Sequence, residues 1–499
     1  MLLGLDLGTG SAKAVLVDEH GALLGEGAAS YRVRSPQPGW AESDPEDWWR
    51  ACTAAVRAAV GERGPEVRGL GLSGQMHGVV LSDAGGQPLR PAVLWADARS
   101  VAELAAYRAL ASGLLSALAN PPAVGMAGPS LLWLRENEGA SYRAARWALQ
   151  PKDWLRLRLT EEAAAEPSDA SATLLYDLDA DGWAWPVIEA LGLRAGLLAP
   201  LVPSAAEAGT LGEGVARELG LPAAIPVAAG AGDTAAAALG MGLLEEGVVQ
   251  LTVGTGGQIL APRRLPSPDP ARRTHLFRAA HEDPSGRFYA LAAVQNAGLA
   301  LEWVLGVLEV SWEEAYREAF DVPPGAGGAV FLPYLSGERT PHFDPGARGA
   351  WVGLRLGHGR GHLLRAAFEG VAFALREGLD ALEAAGIRAP ELRLAGGGTA
   401  EEPWRRLLAD ILGRPLLTLP TSAASVASAR GAALLAGIAA GIYETAAETL
   451  PLAPEPTDVV TPKEPEAYER VYAGYRETSA AARTAPRNVS GAAPPTDPS

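Results

Sequence analysis

A short apolar run, Leu2–Leu5, closes on Asp6-Leu-Gly-Thr-Gly10, and a second run, Ala12–Val17, leads into the turn Glu19-His20-Gly21. Two apolar runs around a glycine-rich tip predict a hairpin. Asp44-Pro45-Glu46 then supplies an N-cap residue, a proline at the first helical position and an acid in the first turn. This predicts a helix to about Val60, with Trp48, Cys52, Ala55 and Val56 on one apolar stripe. Gly69–Leu72 reads as a buried strand that runs into Ser73-Gly74-Gln75-Met76-His77. Strand and helix patterns alternate along the rest of the chain, which favours α/β layers.

The pattern repeats. Thr252-Val-Gly-Thr-Gly-Gly257 follows a predicted strand, Val248–Leu251, as Asp6-Leu-Gly-Thr-Gly-Ser11 follows the first strand. The two turns lie about half a chain apart, the spacing expected of duplicated domains that face one another. With 499 residues the chain exceeds the size at which a single core stops growing. The expected division is a first domain over 1–244 and a second over 245–483. Residues 484–499 are rich in Pro, Ser and Ala and read as a disordered tail.

Charge narrows the partners. There are 42 Lys and Arg against 58 Asp and Glu, a net charge of −16, which argues against nucleic acid and against a polybasic membrane surface. Cys52 is the only cysteine, so an intrachain disulfide and a thiolate metal cluster are excluded, and its place on the helix stripe makes it a core residue. The N-terminus lacks the basic-then-apolar pattern of a signal peptide, and no apolar run reaches the roughly 18 residues of a membrane span. The expectation is a cytoplasmic protein. Lysine occurs only at Lys13, Lys152 and Lys463, and none stands in a Walker A Gly-Lys-Ser/Thr sequence. The protein-kinase motifs and the His-Glu-x-x-His zinc motif are absent, and the seven histidines do not cluster as ligands.

Glycine-rich turns remain. Asp6–Ser11, Thr252–Gly257 and Leu394-Ala-Gly-Gly-Gly-Thr399 each follow an apolar strand. Backbone N–H groups in such turns form anion nests, and glycine admits a phosphate closely. One such turn is unremarkable; three, each with a nearby Thr or Ser, point to phosphate handling. Two carboxylates accompany them. Asp6 lies at a strand end. Asp233 stands isolated among Ala and Gly in Ala228–Gly240 and is either the N-cap of a helix over Thr234–Met241 or an acid/base, roles that are compatible.

These segments together resemble the FGGY carbohydrate kinases over roughly residues 1–480, and within them the members acting on D-xylulose. The resemblance is carried by LGLDLGTGSAKAVLVDEHG at the start, then SGQMHGVVL, PAVLWADARS, QPKDWLRLRLT and SDASATLLYDL. FLPYLSGERTPHFDP and LAGGGTAEEPWRRLLADILGRPL carry it in the second half. It implies duplicated actin-like, ribonuclease-H-like α/β domains with the active site in the cleft between them. It implies transfer of the ATP γ-phosphoryl to the C5 hydroxyl of D-xylulose with Mg²⁺. Asp233 would be the general base, and Asp6 would anchor Mg²⁺ through water. Gly8, Thr9 and Gly10 with Lys13, and Thr255, Gly256 and Gly257, would hold ATP phosphates. Gly396, Gly397, Gly398 and Glu401 would line the nucleoside. Met76 and His77 would touch the sugar, with Gln75, Trp95, Asp97, Arg99 and Thr234 nearby.

The chain departs from the family pattern at Ser130, where a lysine is usual, at Thr234, where Asn is usual, and at Glu401. Glu338-Arg339 reads either as a surface ion pair or as a latch between domains. The implied partners are a small sugar and ATP, with a homodimer left open. The alternatives are a kinase for another ketopentose, polyol or deoxysugar, or a non-catalytic nucleotide-dependent sensor.

Overall fold

The computed structural model describes residues 1–484. The expected hairpin forms from β1 (Leu2–Leu7) and β2 (Ser11–Val17), with Leu7 opposite Ala12, and β3 (Leu23–Ser30) continues it. The first helix, α1 (Pro45–Val60), has Asp44 as its N-cap, the carboxylate accepting from Glu46 N at 3.0 Å. Trp48, Cys52, Ala55 and Val56 are all buried on its inner face.

The remaining strands of the first sheet are β4 (Gly69–Gly74), β5 (Glu207–Thr210), β6 (Pro226–Ala228) and the two-residue β7 (Ala231–Gly232). Their order is β5-β6-β4-β1-β2-β3, with β7 paired to β4. β1, β2 and β3 are successively antiparallel, β4 is parallel to β1, β6 is parallel to β4, and β5 closes that edge antiparallel.

A second sheet repeats this plan. It contains β8 (Gln250–Val253), β9 (Gly257–Arg263), β10 (His275–Arg278), β11 (Phe288–Val294), β12 (Leu392–Ala395), β13 (Leu416–Thr418) and β14 (Asp458–Val460). β8, β9 and β11 are antiparallel, β12 and β13 run parallel to β8, and β14 closes the edge antiparallel. The directions match the first sheet strand for strand, so the repeat seen in two short turns extends to the whole topology. β8 begins two residues later than the sequence pattern predicts, because its pairing with β9 starts at Gln250 opposite Leu260.

One further strand, β10, lies beyond β11 and would leave an open edge. Segments of the first half cover it: Asn120 exchanges two hydrogen bonds with the Leu276 backbone, at 2.7 and 2.9 Å, and Ser171 Oγ accepts from Arg278 N at 3.0 Å.

Helices fill the layers. Those that bear on the site are α2 (Pro151–Thr160), α3 (Asp233–Gly240), α4 (Arg360–Ala384), α5 (Glu402–Leu412), α6 (Ala427–Ala439) and α7 (Pro465–Thr484). The 25-residue α4 is the spine of the second core, with Phe368, Phe373 and Leu375 buried against Trp404 and the sheet. Thr484, expected as the first residue of the tail, is instead the last of α7, and the rest of the expected tail, 485–499, lies outside the described residues.

The chain does not divide as a clean succession of domains. Helix α6 lies in sequence between β13 and β14 of the second sheet, yet it packs on β1, β4 and α3 of the first half. Its backbone comes so close that a Cβ on Gly4 would stand 1.8 Å from Ala429 O, and one on Gly71 1.8 Å from Ala432 O. On the other side, a Cβ on Gly431 would stand 1.8 Å from Ala236 O of α3. No side chain can interdigitate at that distance, so backbone meets backbone and packing density alone sets the fit.

Gly71→Ala therefore has no room to relax, because its neighbour is backbone. We expect a loss of about 1–3 kcal/mol or more, read as a lower melting temperature. Gly113→Ala, where a Cβ meets nothing within 4 Å, is the control expected to unfold as wild type does.

Candidate active site

Strand register brings two carboxylates together. Asp6 is opposite Ser73 in the parallel pair β1–β4, and Ser73 is opposite Ala231 in β4–β7. Gly232 follows, and Asp233 is the next residue, at the start of α3. Both carboxylates thus sit at the carboxyl ends of the two strands that flank β4 in parallel, where open α/β sheets place their ligands. Asp6 accepts from Ser73 Oγ at 2.9 Å. Asp233 accepts from Thr234 N at 2.6 Å and Thr234 Oγ1 at 3.1 Å.

Asp233 is not the helix cap. Gly232 holds that position, and Asp233 is the first helical residue. Burial, and then the negative charge of Asp6, push its carboxyl up to about 7. Burial also raises Asp6, opposed by the Ser73 hydrogen bond and the Lys13 charge. Lys13 faces Asp6 across the hairpin, and its Nζ donates to Ser425 O at 3.1 Å.

The backbone on both sides of Asp233 is tied down. Ser428 Oγ of α6 donates to Asp233 O at 3.1 Å, and Gly232 N donates to Ser168 Oγ at 3.0 Å. Ser168 donates in turn to Glu166 at 2.8 Å. Glu166 lies 3.2 Å from Lys152 Nζ, which also pairs with Asp153 at 2.7 Å and Asp169 at 3.3 Å. Burial alone would pull Lys152 down, but these three carboxylates outweigh it and raise it. This buried cluster was not read from the sequence. QPKDWL and SDAS were visible as motifs, but nothing in their linear order shows that their charges converge under Asp233.

The two Gly-Thr-Gly turns occupy equivalent hairpin tips, closed by Gly8 N to Ser11 O at 3.0 Å and Gly254 N to Gly256 O at 2.9 Å. Gly10, Gly254 and Thr255 are exposed, Thr9 accepts from Trp95 Nε1 at 2.8 Å, and the Tyr31 hydroxyl donates to Gly8 O. Gly256 and Gly257 lead into β9. The third turn leaves β12 at Gly396, whose φ of 105° and 2.2 Å clearance from Val253 O admit only glycine. Gly397 and Gly398 are exposed beside it, and Glu401 is an exposed residue one position before α5.

The segment after β4 carries the expected sugar contacts. Met76 is buried. His77 has φ 70°, a strained conformation for a non-glycine residue. Its Nδ1 lies 2.6 Å from Ala172 O, so Nδ1 carries the proton and Nε2 is left as an acceptor. Burial lowers the ring to about 4 despite that bond, with the Arg339 charge adding to the fall, so the imidazole is neutral at physiological pH. Gln75 Nε2 donates to Gly8 O at 3.2 Å, while its Oε1 is buried with no partner among the described residues. Asp97 and Arg99 are committed to each other, at 2.7 Å, and to structure: Asp97 accepts from Ala41 N at 2.6 Å, and Arg99 pairs with Glu42 at 2.8 Å and stacks on Trp40. Ser130 is buried within the helix Ala127–Asn137.

Among the described residues no group of three His, Cys, Asp or Glu side chains is disposed to hold a metal by itself. Two partly buried carboxylates with hydroxyls nearby nevertheless fit a hard divalent cation that arrives with other oxygen ligands, since a positive charge would relieve their repulsion. No helix among them is long and apolar enough to cross a membrane.

Duplicated ribonuclease-H-like sheets, glycine-rich turns at equivalent tips and paired acids at the strand ends of the first sheet define an actin-like phosphotransferase. Residues 1–240 match the N-terminal domain of the FGGY family of carbohydrate kinases, and residues 249–440 match its C-terminal domain. The chain belongs to that family. It is 36% identical over 456 residues to a xylulose kinase of Escherichia coli, covering 91% of this chain and 93% of that one. A xylulose kinase of Klebsiella pneumoniae is 36% identical over 441 residues, covering 88% and 90%. The crystal structure of a "xyloylose kinase" from Brucella ovis superposes with a TM-score of 0.90 at 35% identity, over 97% of this chain and 99% of that one.

The raised carboxyl of Asp233 has a consequence for stability. Its proton is held more tightly folded than unfolded, so its favourable contribution is full below about pH 4 and is lost as pH rises through about 7. Asp233→Asn removes that loss. We expect the variant to melt above wild type at pH 8, with a gap that narrows towards pH 5.5, measured by differential scanning fluorimetry.

Proposed function

We propose that this protein transfers the γ-phosphoryl of ATP to the C5 hydroxyl of D-xylulose, with Asp233 as general base, in a cleft between a first domain over 1–244 and a second over 245–483. The observation that carries the reading is the Asp6–Asp233 pair at the strand ends beside a Gly-Thr-Gly tip, in a chain similar over most of its length to the xylulose kinases above. The protein acts in the cytoplasm on small molecules.

Phosphoryl transfer needs positioning and charge neutralisation more than covalent chemistry. His77 Nε2 accepts a sugar hydroxyl. The ring cannot charge in the working pH range, so it orients the sugar without competing for the proton. Asp233, poised near 7, accepts the proton of the attacking hydroxyl. Its carboxylate is held to one side by Thr234, and its backbone is clamped by Ser168 and Ser428. Amides of Gly8, Thr9 and Gly10, and of Thr255, Gly256 and Gly257, receive phosphate oxygens from the two halves. Gly396, Gly397, Gly398 and Glu401 face the nucleoside. Mg²⁺, held by Asp6 through water, would neutralise phosphate charge.

A coupled ADP-release assay across ketoses, polyols and deoxysugars tests the reading. We expect D-xylulose to give the highest kcat/KM, falling below about pH 7 as Asp233 takes up its proton. Asp233→Asn should lose on the order of 10²–10⁴ in kcat while still binding ATP. Higher kcat/KM on another sugar would reassign the substrate. A folded Asp233→Asn protein within tenfold of wild type would remove Asp233 as the base.

A further inference from the structure

Arg339 is a largely buried cation without a counter-charge. Among the described residues its guanidinium makes no hydrogen bond and no ion pair. The neighbouring Glu338 does not supply one. Only 4% exposed, Glu338 spends one oxygen on the amides of Gln295, at 2.6 Å, and Arg339, at 2.7 Å. The two residues are therefore not a surface ion pair. Burial lowers Arg339, with Glu338 the one charge opposing the fall. A guanidinium partly shielded by protein and without a charge partner is kept in a fold where something else can complete it.

Its surroundings say where that partner lies. The loop that carries Arg339 is bolted to the second half. Thr340 N donates to Ala293 O at 2.9 Å and Ala293 N to Thr340 Oγ1 at 3.1 Å, while Asn296 Nδ2 donates to Gly337 O at 2.7 Å. The side chain, however, points at the first half. Its Cζ lies 5.3 Å from the centre of the Trp95 ring, and the same indole donates to Thr9 in the first phosphate turn. The positive charge is felt at His77 and at His275, both buried and neutral. Arg339 is thus a cation from one half, set against an indole and a neutral imidazole of the other, with the neutral His275 of its own half also feeling its charge. These rings leave its N–H donors without oxygen acceptors.

We propose that Arg339 is a sugar-binding residue supplied by the second half, its guanidinium donating to oxygens of the ketose held against Met76 and His77. The sugar then bridges the two halves, and its binding draws them together before ATP is used. Trp95 is the platform that holds the guanidinium plane, so that little side-chain freedom is lost when the sugar arrives. This assignment rests on the sugar-kinase reading above and adds to it a contact from the opposite half.

The test measures D-xylulose binding by intrinsic tryptophan fluorescence without ATP, alongside steady-state kinetics, for Arg339→Gln, Arg339→Lys and Arg339→Met. The methionine variant keeps an apolar stem against Trp95 should the glutamine variant fail to fold. We expect Arg339→Gln and Arg339→Met to raise the sugar Kd and KM about 10- to 100-fold, the range of a lost hydrogen bond from a charged donor. The KM for ATP should stay within about twofold by the same reckoning, and Arg339→Lys should recover part of the loss. Small-angle scattering should show compaction by sugar in wild type and none in Arg339→Gln. A folded variant that binds D-xylulose as wild type does overturns this proposal alone. Wild-type protein that phosphorylates no sugar overturns the functional reading itself.

Discussion

Contact between the backbone of α6 and the first sheet is the constraint on which the rest of the molecule depends. The helix belongs by sequence to the second half, and it reaches the first half only because Gly4 and Gly71 leave the sheet face bare and Gly431 does the same for α3. The two halves share this element, so their relative placement is not left to a flexible linker. Ser428, on the same helix, holds the carbonyl of Asp233. The backbone position of Asp233 is therefore coupled to the packing that joins the halves.

Charge is arranged around that frame in three different ways. Lys152 and Arg156 are buried but surrounded by carboxylates and carbonyl oxygens, so their desolvation is compensated within the protein and the cluster acts as a rigid support. Asp6 and Asp233 are partly buried with too little positive charge near them, and both carboxyls rise. Arg339 is the reverse case, a cation with too little negative charge near it. The Lys152 cluster lies beneath Asp233, tied to it through Glu166, Ser168 and Gly232. This is the expected division between groups that wait for a ligand and groups that hold a scaffold.

Much of this was legible in the linear sequence. The Gly-Thr-Gly turns, the isolated Asp233 and the capped α1 each depend on residues a few positions apart, and local chemistry constrains them strongly. The same locality also bounds what it can say. Asp233 could be read as a helix cap because a lone Asp before a helix usually is one, and only the backbone shows that Gly232 takes that place. Asp97 and Arg99, next to the indole of Trp95, look like pocket residues in one dimension, yet they are locked to each other and to Glu42.

The sequence by itself determined the duplicated α/β plan, the glycine-rich turns and the prominence of Asp6 and Asp233, because each is written in short-range periodicity, turn chemistry or an ordered set of motifs. Only the tertiary structure decided which distant residues share a site. The convergence of Lys152, Glu166 and Ser168 beneath Asp233, the crossing of α6 into the first half, and the approach of Arg339 to Trp95 and His77 all join residues far apart in the chain. Such contacts arise from how layers pack, and layer packing depends on surface shape and close approach summed over many residues, for which no short stretch of sequence carries a sign.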